Sequence, residues 1–155
     1  MAHKILLSGC GGAGRHVVQV ATNSGRANVI GLFDPSHDQI STAQDLYPEA
    51  KQGNILEDLI KATSPNIVVV AGPDHLHADQ AILAMEMGCH VLVEKPMATT
   101  VFDAKRMIEA ADRTGLEIMA DHTVRYMYPW QEMSNIARSG GIGEIFFIQG
   151  DYIHD

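Results

Sequence analysis

Short runs of β-branched residues and leucine alternate along this chain with stretches of helical period, and that alternation leaves few folds open. Ile5 to Ser8, Val29 to Phe33, Ile67 to Ala71, His90 to Glu94 and Glu117 to Ala120 are strand candidates, with a weak short one near Glu49 to Gln52. Three of these runs are continuously apolar, as strands covered on both faces are. Between them lie apolar sets at i, i+3, i+4, i+7: Val17, Val18 and Ala21; Ile40, Ala43 and Tyr47; Ile55, Leu56, Leu59 and Ile60. The series continues with Ala78, Ala81, Ile82 and Met85, then with Ala104, Met107, Ile108 and Ala111. Each set makes one apolar stripe per helix. Strand and helix in this order predict an α/β fold, a doubly wound parallel sheet with helices on both faces.

The connectors agree with that reading. Gly25, Gly88 and Gly115 stand where helices should stop, and Ser64-Pro65-Asn66 and Gly72-Pro73-Asp74 mark loops. After Tyr128 the pattern changes: Trp130, Met133 and Ala137 suggest one more helix, Gly140-Gly141-Ile142-Gly143 breaks it, and Glu144 to Tyr152 reads as a long strand. A fold rarely finishes on an uncovered apolar strand, because its unpaired backbone groups template aggregation. The expectation is one α/β domain over 1–125, followed over 126–155 by a further helix and a strand, an ending that itself suggests missing sequence.

Charge narrows the partners. Acidic residues outnumber basic ones 19 to 11 for a net charge of −8, so a nucleic acid or an anionic membrane is repelled. The longest apolar runs fall far short of the roughly 20 residues a membrane helix needs. Two cysteines, Cys10 and Cys89, are too few for a disulfide framework and suit a reducing, cytoplasmic setting. Leu7-Ser8-Gly9-Cys10 has the form of a lipoprotein cleavage box, yet His3 and Lys4 interrupt what precedes it. A signal peptide needs an apolar core of about 7–15 residues.

Gly9-Cys10-Gly11-Gly12-Ala13-Gly14 matches G-x-G-x-x-G between the first strand and the first helix. In that context Gly9 makes the tight turn, Gly11 lets the backbone approach a pyrophosphate, and Gly14 lets helix and strand pack closely. Free N–H groups along Gly11 to Gly14 and the positive end of the helix dipole then hold phosphates without side-chain charge. Asp34 ends the second strand, 20 residues past Gly14. A carboxylate there accepts both hydroxyls of an adenine ribose and repels a 2′-phosphate, so the cofactor reads as NAD rather than NADP.

Pro73 and His77, an alanine-rich helix, then Gly88, His90, Val91, Glu94, Lys95 and Pro96 make up a spaced pattern. It resembles the Gfo/Idh/MocA oxidoreductases. Arg125-Tyr126 with Pro129, and Gly141-Ile142-Gly143-Glu144-Ile145, resemble that family's passage into its second domain. The resemblance implies an NAD-dependent dehydrogenase with a Rossmann fold, acting on a sugar, polyol or similar hydroxylated small molecule. It also implies that Lys95 is the catalytic group, touching substrate and cofactor. Moving a hydride from an alcohol carbon requires a group to take the hydroxyl proton and a cation to steady the oxyanion. By the same resemblance Glu94 positions the nicotinamide ribose or holds Lys95, and Gly72, Pro73, His77 and Arg125 line the cofactor site. Pro96 fixes the next turn and admits a cis bond.

His75 and His77 invite a metal reading, but residues two apart on a helix point to nearly opposite sides, so no metal is expected. His122 is a second acid–base candidate. The family's further catalytic pair, an aspartate and a histidine four apart, belongs to its second domain. Asp151 and His154 are only three apart and would face opposite sides of a strand. The expectation is therefore a chain that binds NADH and turns over sugars very slowly or not at all. The resemblance makes 1–125 a nucleotide-binding domain and 126–155 the crossover helix and first strand of a truncated α+β second domain; family members often form homo-oligomers through that domain's sheet, most of which lies outside this chain. A nucleotide-binding module without chemistry, a CoA-binding domain and an NAD-dependent glycosidase stay open as alternatives.

Overall fold

The computed structural model describes residues 2–151 and 153; the last residue of the expected terminal strand, Tyr152, lies outside the described residues, as does His154. The chain divides into two compact units, Met1–Asp121 and His122–Asp155.

In the first unit, strands β1 (His3–Ser8), β2 (Ala27–Phe33), β3 (Lys51–Gly53), β4 (Ile67–Val70), β5 (His90–Glu94) and β6 (Ile118–Asp121) form one sheet in the order β3-β2-β1-β4-β5-β6. Every neighbouring pair is parallel. Helices α1 (Gly12–Asn23), α2 (His37–Leu46), α3 (Leu56–Thr63), α4 (His77–Glu86) and α5 (Val101–Thr114) make the crossovers. The order reverses between β1 and β4, which opens a crevice at the carboxyl ends of those strands.

The two faces are sorted by the pleat of the strands. Ile5, Leu7 and Val69 pack with Val18, Ile40 and Ala43 of α1 and α2 on one face. Leu6, Val68 and Val70 pack with residues of α3, α4 and α5 on the other. Alternate residues of one strand thus serve opposite layers. Each fully buried Leu or Val contributes ~1.5–3 kcal/mol relative to exposure.

Helix ends follow local chemistry. Ser36 caps α2 by accepting from the Gln39 N–H, and Thr100 caps α5 by accepting from the Asp103 N–H at 3.0 Å. Gly115 ends α5 with φ at +69°, a conformation that costs glycine little. α1 differs: Gly11 stands at its N-cap with no side-chain cap, and its first turn holds no acidic residue.

In the second unit, a 3-10 turn (Thr123–Tyr126) leads into α6 (Tyr128–Arg138), which carries the expected Trp130, Met133 and Ala137. The expected strand over Glu144 to Tyr152 is corrected: residues 144–151 carry no strand. Alternating apolar side chains favour an extended backbone, but a strand exists only by pairing its N–H and C=O groups with another. Among the described residues, no strand pairs with this segment.

Candidate cofactor site

The phosphate loop follows β1 at the crevice. Gly9 adopts φ of +98°, and a Cβ there would lie 2.4 Å from the carbonyl carbon of Ala71 and the nitrogen of Gly72. Only glycine permits both the turn and that backbone contact. A Cβ on Gly14 would lie 2.2 Å from the Gly9 oxygen and 3.0 Å from Leu7 and Ala71 side-chain atoms, so α1 packs directly on β1 and the end of β4. At Gly11 and Gly12 an added Cβ meets nothing within 4 Å. Two glycines are therefore demanded by packing, while Gly11 and Gly12 border open space.

That space lies at the uncapped start of α1. The first-turn N–H groups of a helix lack intrahelical partners, and no side chain supplies one here. The donors of Gly12, Ala13 and Gly14, together with the dipole, suit an anionic diphosphate.

Asp34 follows β2 beside this loop. Its Oδ2 accepts the Cys10 N–H at 2.8 Å and its Oδ1 accepts the Ser36 N–H at 2.8 Å. The carboxylate is held by both oxygens, yet each keeps a lone pair for a ribose hydroxyl. Arg15, which sequence reasoning did not single out, donates through Nη1 to the Cys10 carbonyl and to Oε1 of Gln39 at 2.7 Å. It ties α1 to α2 around the loop. Nothing in the spacing of residues five and 24 apart signals that contact.

Cys10 is fully buried, and its thiol faces the Phe33 carbonyl at 3.6 Å. Burial, and then the Asp34 carboxylate, push that thiol up to about 12. Burial also raises the Cys89 thiol. At pH 8 the native chain should react with a disulfide reagent at least about a hundredfold more slowly than the urea-unfolded chain, since thiolate is the reactive form. Two rapidly titrating thiols in the native state would contradict this. The sign of the linkage follows: an unfolded thiol ionises near pH 8.5 and native Cys10 only near 12, so the stabilisation is complete below about 8.5 and is lost as pH rises through that window.

Beyond β4, Gly72 and Pro73 lead into a 3-10 turn (Asp74–Leu76) and α4. His77, expected to line the cofactor site, is 1% exposed. Its Nδ1 lies 2.9 Å from the Pro96 carbonyl and its Nε2 3.0 Å from the Gly72 carbonyl. Both ring nitrogens are thus engaged with backbone, and any action on a ligand runs through those two loops. Ser8, also fully buried, donates to Oε1 of Gln80 at 2.9 Å, joining the end of β1 to α4.

Glu94 ends β5, and its Oε2 accepts the Lys95 N–H at 2.9 Å. The carboxylate therefore folds back over the turn that carries Lys95. Lys95 is exposed, and the Lys95-Pro96 bond is cis. Asp121, the register partner of Glu94 on β6, adds a carboxylate to the same edge that sequence reasoning missed. Because the sheet is parallel, the ends of β1, β2, β4 and β5 share one edge, and the glycine loop, Asp34, Gly72, Pro73, Glu94 and Lys95 all lie along it. Arg125 and His122 fall in the second unit, in and just before its 3-10 turn.

An oxidoreductase family model with an NAD-binding Rossmann fold matches residues 3–122. The chain belongs to this family, Gfo/Idh/MocA. An inositol 2-dehydrogenase of Salmonella typhimurium is 30% identical over 137 residues, covering 87% of this chain and 41% of that protein. A glycosyl hydrolase family 109 protein of Shewanella baltica is 32% identical over 126 residues, covering 80% of this chain and 28% of that protein. Among solved structures, the WlbA dehydrogenase of Bordetella pertussis, in complex with NADH and UDP-GlcNAcA, superimposes with a TM-score of 0.82 at 28% identity, covering 90% of this chain and 40% of that one. The chain thus spans about two fifths or less of the length of these relatives.

Proposed function

We propose that this chain is the cofactor-binding part of an NAD-dependent dehydrogenase acting on a sugar, a polyol or a related hydroxylated small molecule. The observation that carries the reading is the meeting, on one sheet edge, of an uncapped helix start beside open space at Gly11 and Gly12 with an exposed lysine, Lys95. When bound, NAD supplies the oxidant, taking a hydride from the substrate's carbinol carbon. The backbone N–H groups of Gly11, Gly12, Ala13 and Gly14 hold its phosphates. Asp34 accepts the adenine ribose hydroxyls, and Gly72 and Pro73 wall the crevice beyond β4. Lys95 takes the hydroxyl proton at Nζ, and returns it to the oxygen when the reaction runs in reverse. Glu94 fixes the turn that presents it, through its bond to the Lys95 N–H.

On the same reading, 1–125 is the cofactor-binding domain and 126–155 belongs to the substrate domain. Two unpaired, buried cysteines support a reducing, cytoplasmic setting. Among the described residues no helix is long and apolar enough to cross a membrane.

Titration with NADH and NADPH tests the reading. NADH should bind about a hundredfold or more tightly than NADPH, because the 2′-phosphate meets the Asp34 carboxylate. Asp34→Asn removes that repulsion while keeping an acceptor for the Cys10 N–H, and it should narrow the preference to within about tenfold. Equal affinity for both cofactors in the unaltered chain, or no binding of either, would overturn it. One observation favours a second reading: the similarity to a glycosyl hydrolase family 109 protein supports a glycosidase that uses the same cofactor without net oxidation. Cleavage of a glycoside with no NADH accumulating would select it.

A further inference from the structure

His77 is the one histidine buried in the first unit's core, and no step of the proposed reaction uses it. Its ring is held at both ends: Nε2 faces the Gly72 carbonyl at 3.0 Å, and Nδ1 faces the Pro96 carbonyl at 2.9 Å. Those carbonyls belong to two separate loops, one after β4 and one after β5. Gly72 is also the residue against which the phosphate loop rests, since the Ala71-Gly72 peptide fills the place of a Cβ on Gly9. Pro96 adjoins Lys95. A single rigid ring therefore spans the gap between the segment that seats the phosphates and the segment that presents the amine.

The spacing is set by covalent geometry. An imidazole has its two nitrogens at fixed positions on a planar ring, so one N–H···O bond and the bulk of the buried ring together set how closely the two carbonyls approach. A flexible side chain with one donor would fix only one of them. Ser8 and Gln80 brace the same helix start against the end of β1. Placement matters at this scale because misalignment of about 1 Å between reacting groups costs about a hundredfold in rate.

We propose that His77 is a positioning residue that sets the distance between the phosphate loop and Lys95, and so places the lysine against the nicotinamide end of the cofactor. This rests on the reading of the site as an NAD site. The tautomer decides which of the two carbonyls accepts the ring N–H.

The test compares the unaltered chain with His77→Gln, His77→Ala and, as a control, His75→Gln, which changes an exposed neighbour outside the site. Three quantities are read: melting temperature, NADH affinity by fluorescence, and the rate at which acetic anhydride acetylates Lys95, by peptide mass spectrometry, with and without saturating NADH. The unaltered chain and His75→Gln should show Lys95 strongly protected by NADH. His77→Gln should bind NADH about tenfold more weakly, as loss of a buried hydrogen bond does. The deciding readout is protection at saturation: in His77→Gln and His77→Ala, Lys95 should stay acetylated several-fold faster than in the unaltered chain even with every site filled.

A purely structural role lowers the melting temperature and leaves saturated protection unchanged, and that result overturns the proposal. If the unaltered chain binds no NADH, the reading of the site fails instead. The positioning role is then judged on cofactor-free acetylation: a rate altered by His77→Gln supports it and an unaltered rate overturns it. If neither variant folds, nitrogen-15 histidine spectra of the unaltered chain decide. His77 ring signals that move on NADH saturation support the role, and signals that stay still overturn it.

Discussion

Replacing Gly11 with alanine should weaken NADH binding by about a hundredfold while leaving the fold intact, the loss expected when about two charge-assisted hydrogen bonds are blocked. The two halves of that expectation come from different observations. Gly11 has φ of −66° and ψ of 179°, extended backbone that alanine adopts freely, and a Cβ there meets no protein atom within 4 Å. Stability should therefore change by no more than about 0.5 kcal/mol. The methyl group would stand over the first N–H groups of α1, in the space a diphosphate oxygen needs. Calorimetry of unfolding and an NADH titration on the same sample check both halves. Gly14→Ala makes the contrasting case: its Cβ would lie 2.2 Å from the Gly9 oxygen, so fold and binding should fail together. If Gly11→Ala bound NADH with unchanged affinity, the phosphate would not sit on this loop.

Lys95→Met should lower turnover by about 10² to 10⁴-fold, the range for loss of a positioned acid–base group. Methionine keeps much of the length and apolar stem of lysine and removes the ammonium. Lys95 is exposed, so no core contact is lost, and NADH affinity should stay within about threefold. The measurement is NADH formation from a panel of sugars and polyols, with binding read separately. Unchanged turnover would move the proton transfer to another group, for which Asp121, the register partner of Glu94 on β6, is a candidate.

Most of the fold was legible because the determinant is local. A strand buried on both faces must be apolar along its length, and Val68, Val69 and Val70 show it: alternate residues feed opposite cores and none is left for solvent. The weak Glu49 to Gln52 strand came out as Lys51–Gly53, three residues on the sheet edge, where one pairing partner leaves little sequence signal. The segment 144–151 went the other way. Ile145, Phe146, Phe147 and Ile148 are strand-forming residues, but a strand is a relation between two segments, and no periodicity in one reports the other.

The site divides similarly. Gly9 and Gly14 were readable because G-x-G-x-x-G between a strand and a helix is a local signal, although the peptide that excludes a Cβ at Gly9, Ala71-Gly72, comes from beyond β4. The link between Arg15 and Gln39, the bond from Ser8 to Gln80, and the double engagement of His77 join residues 24, 72, 5 and 19 apart, and depend on how the chain returns to the same edge. His77 shows the difference most clearly. Its place in a spaced pattern pointed to the cofactor, while only the structure brings its ring between the Gly72 and Pro96 carbonyls.

The proposed position of NAD, across the carboxyl edge from the glycine loop to Lys95, is tested most directly by titrating NADH into the nitrogen-15-labelled chain and following backbone amides by NMR. The largest shifts should fall on Gly11, Gly12 and Ala13, with further shifts at Gly72, Glu94 and Lys95. Shifts gathered instead on the shallow cleft at the opposite end of the sheet, lined by Thr22, Asn28, Leu46 and Tyr47, or no shifts at all, would contradict it.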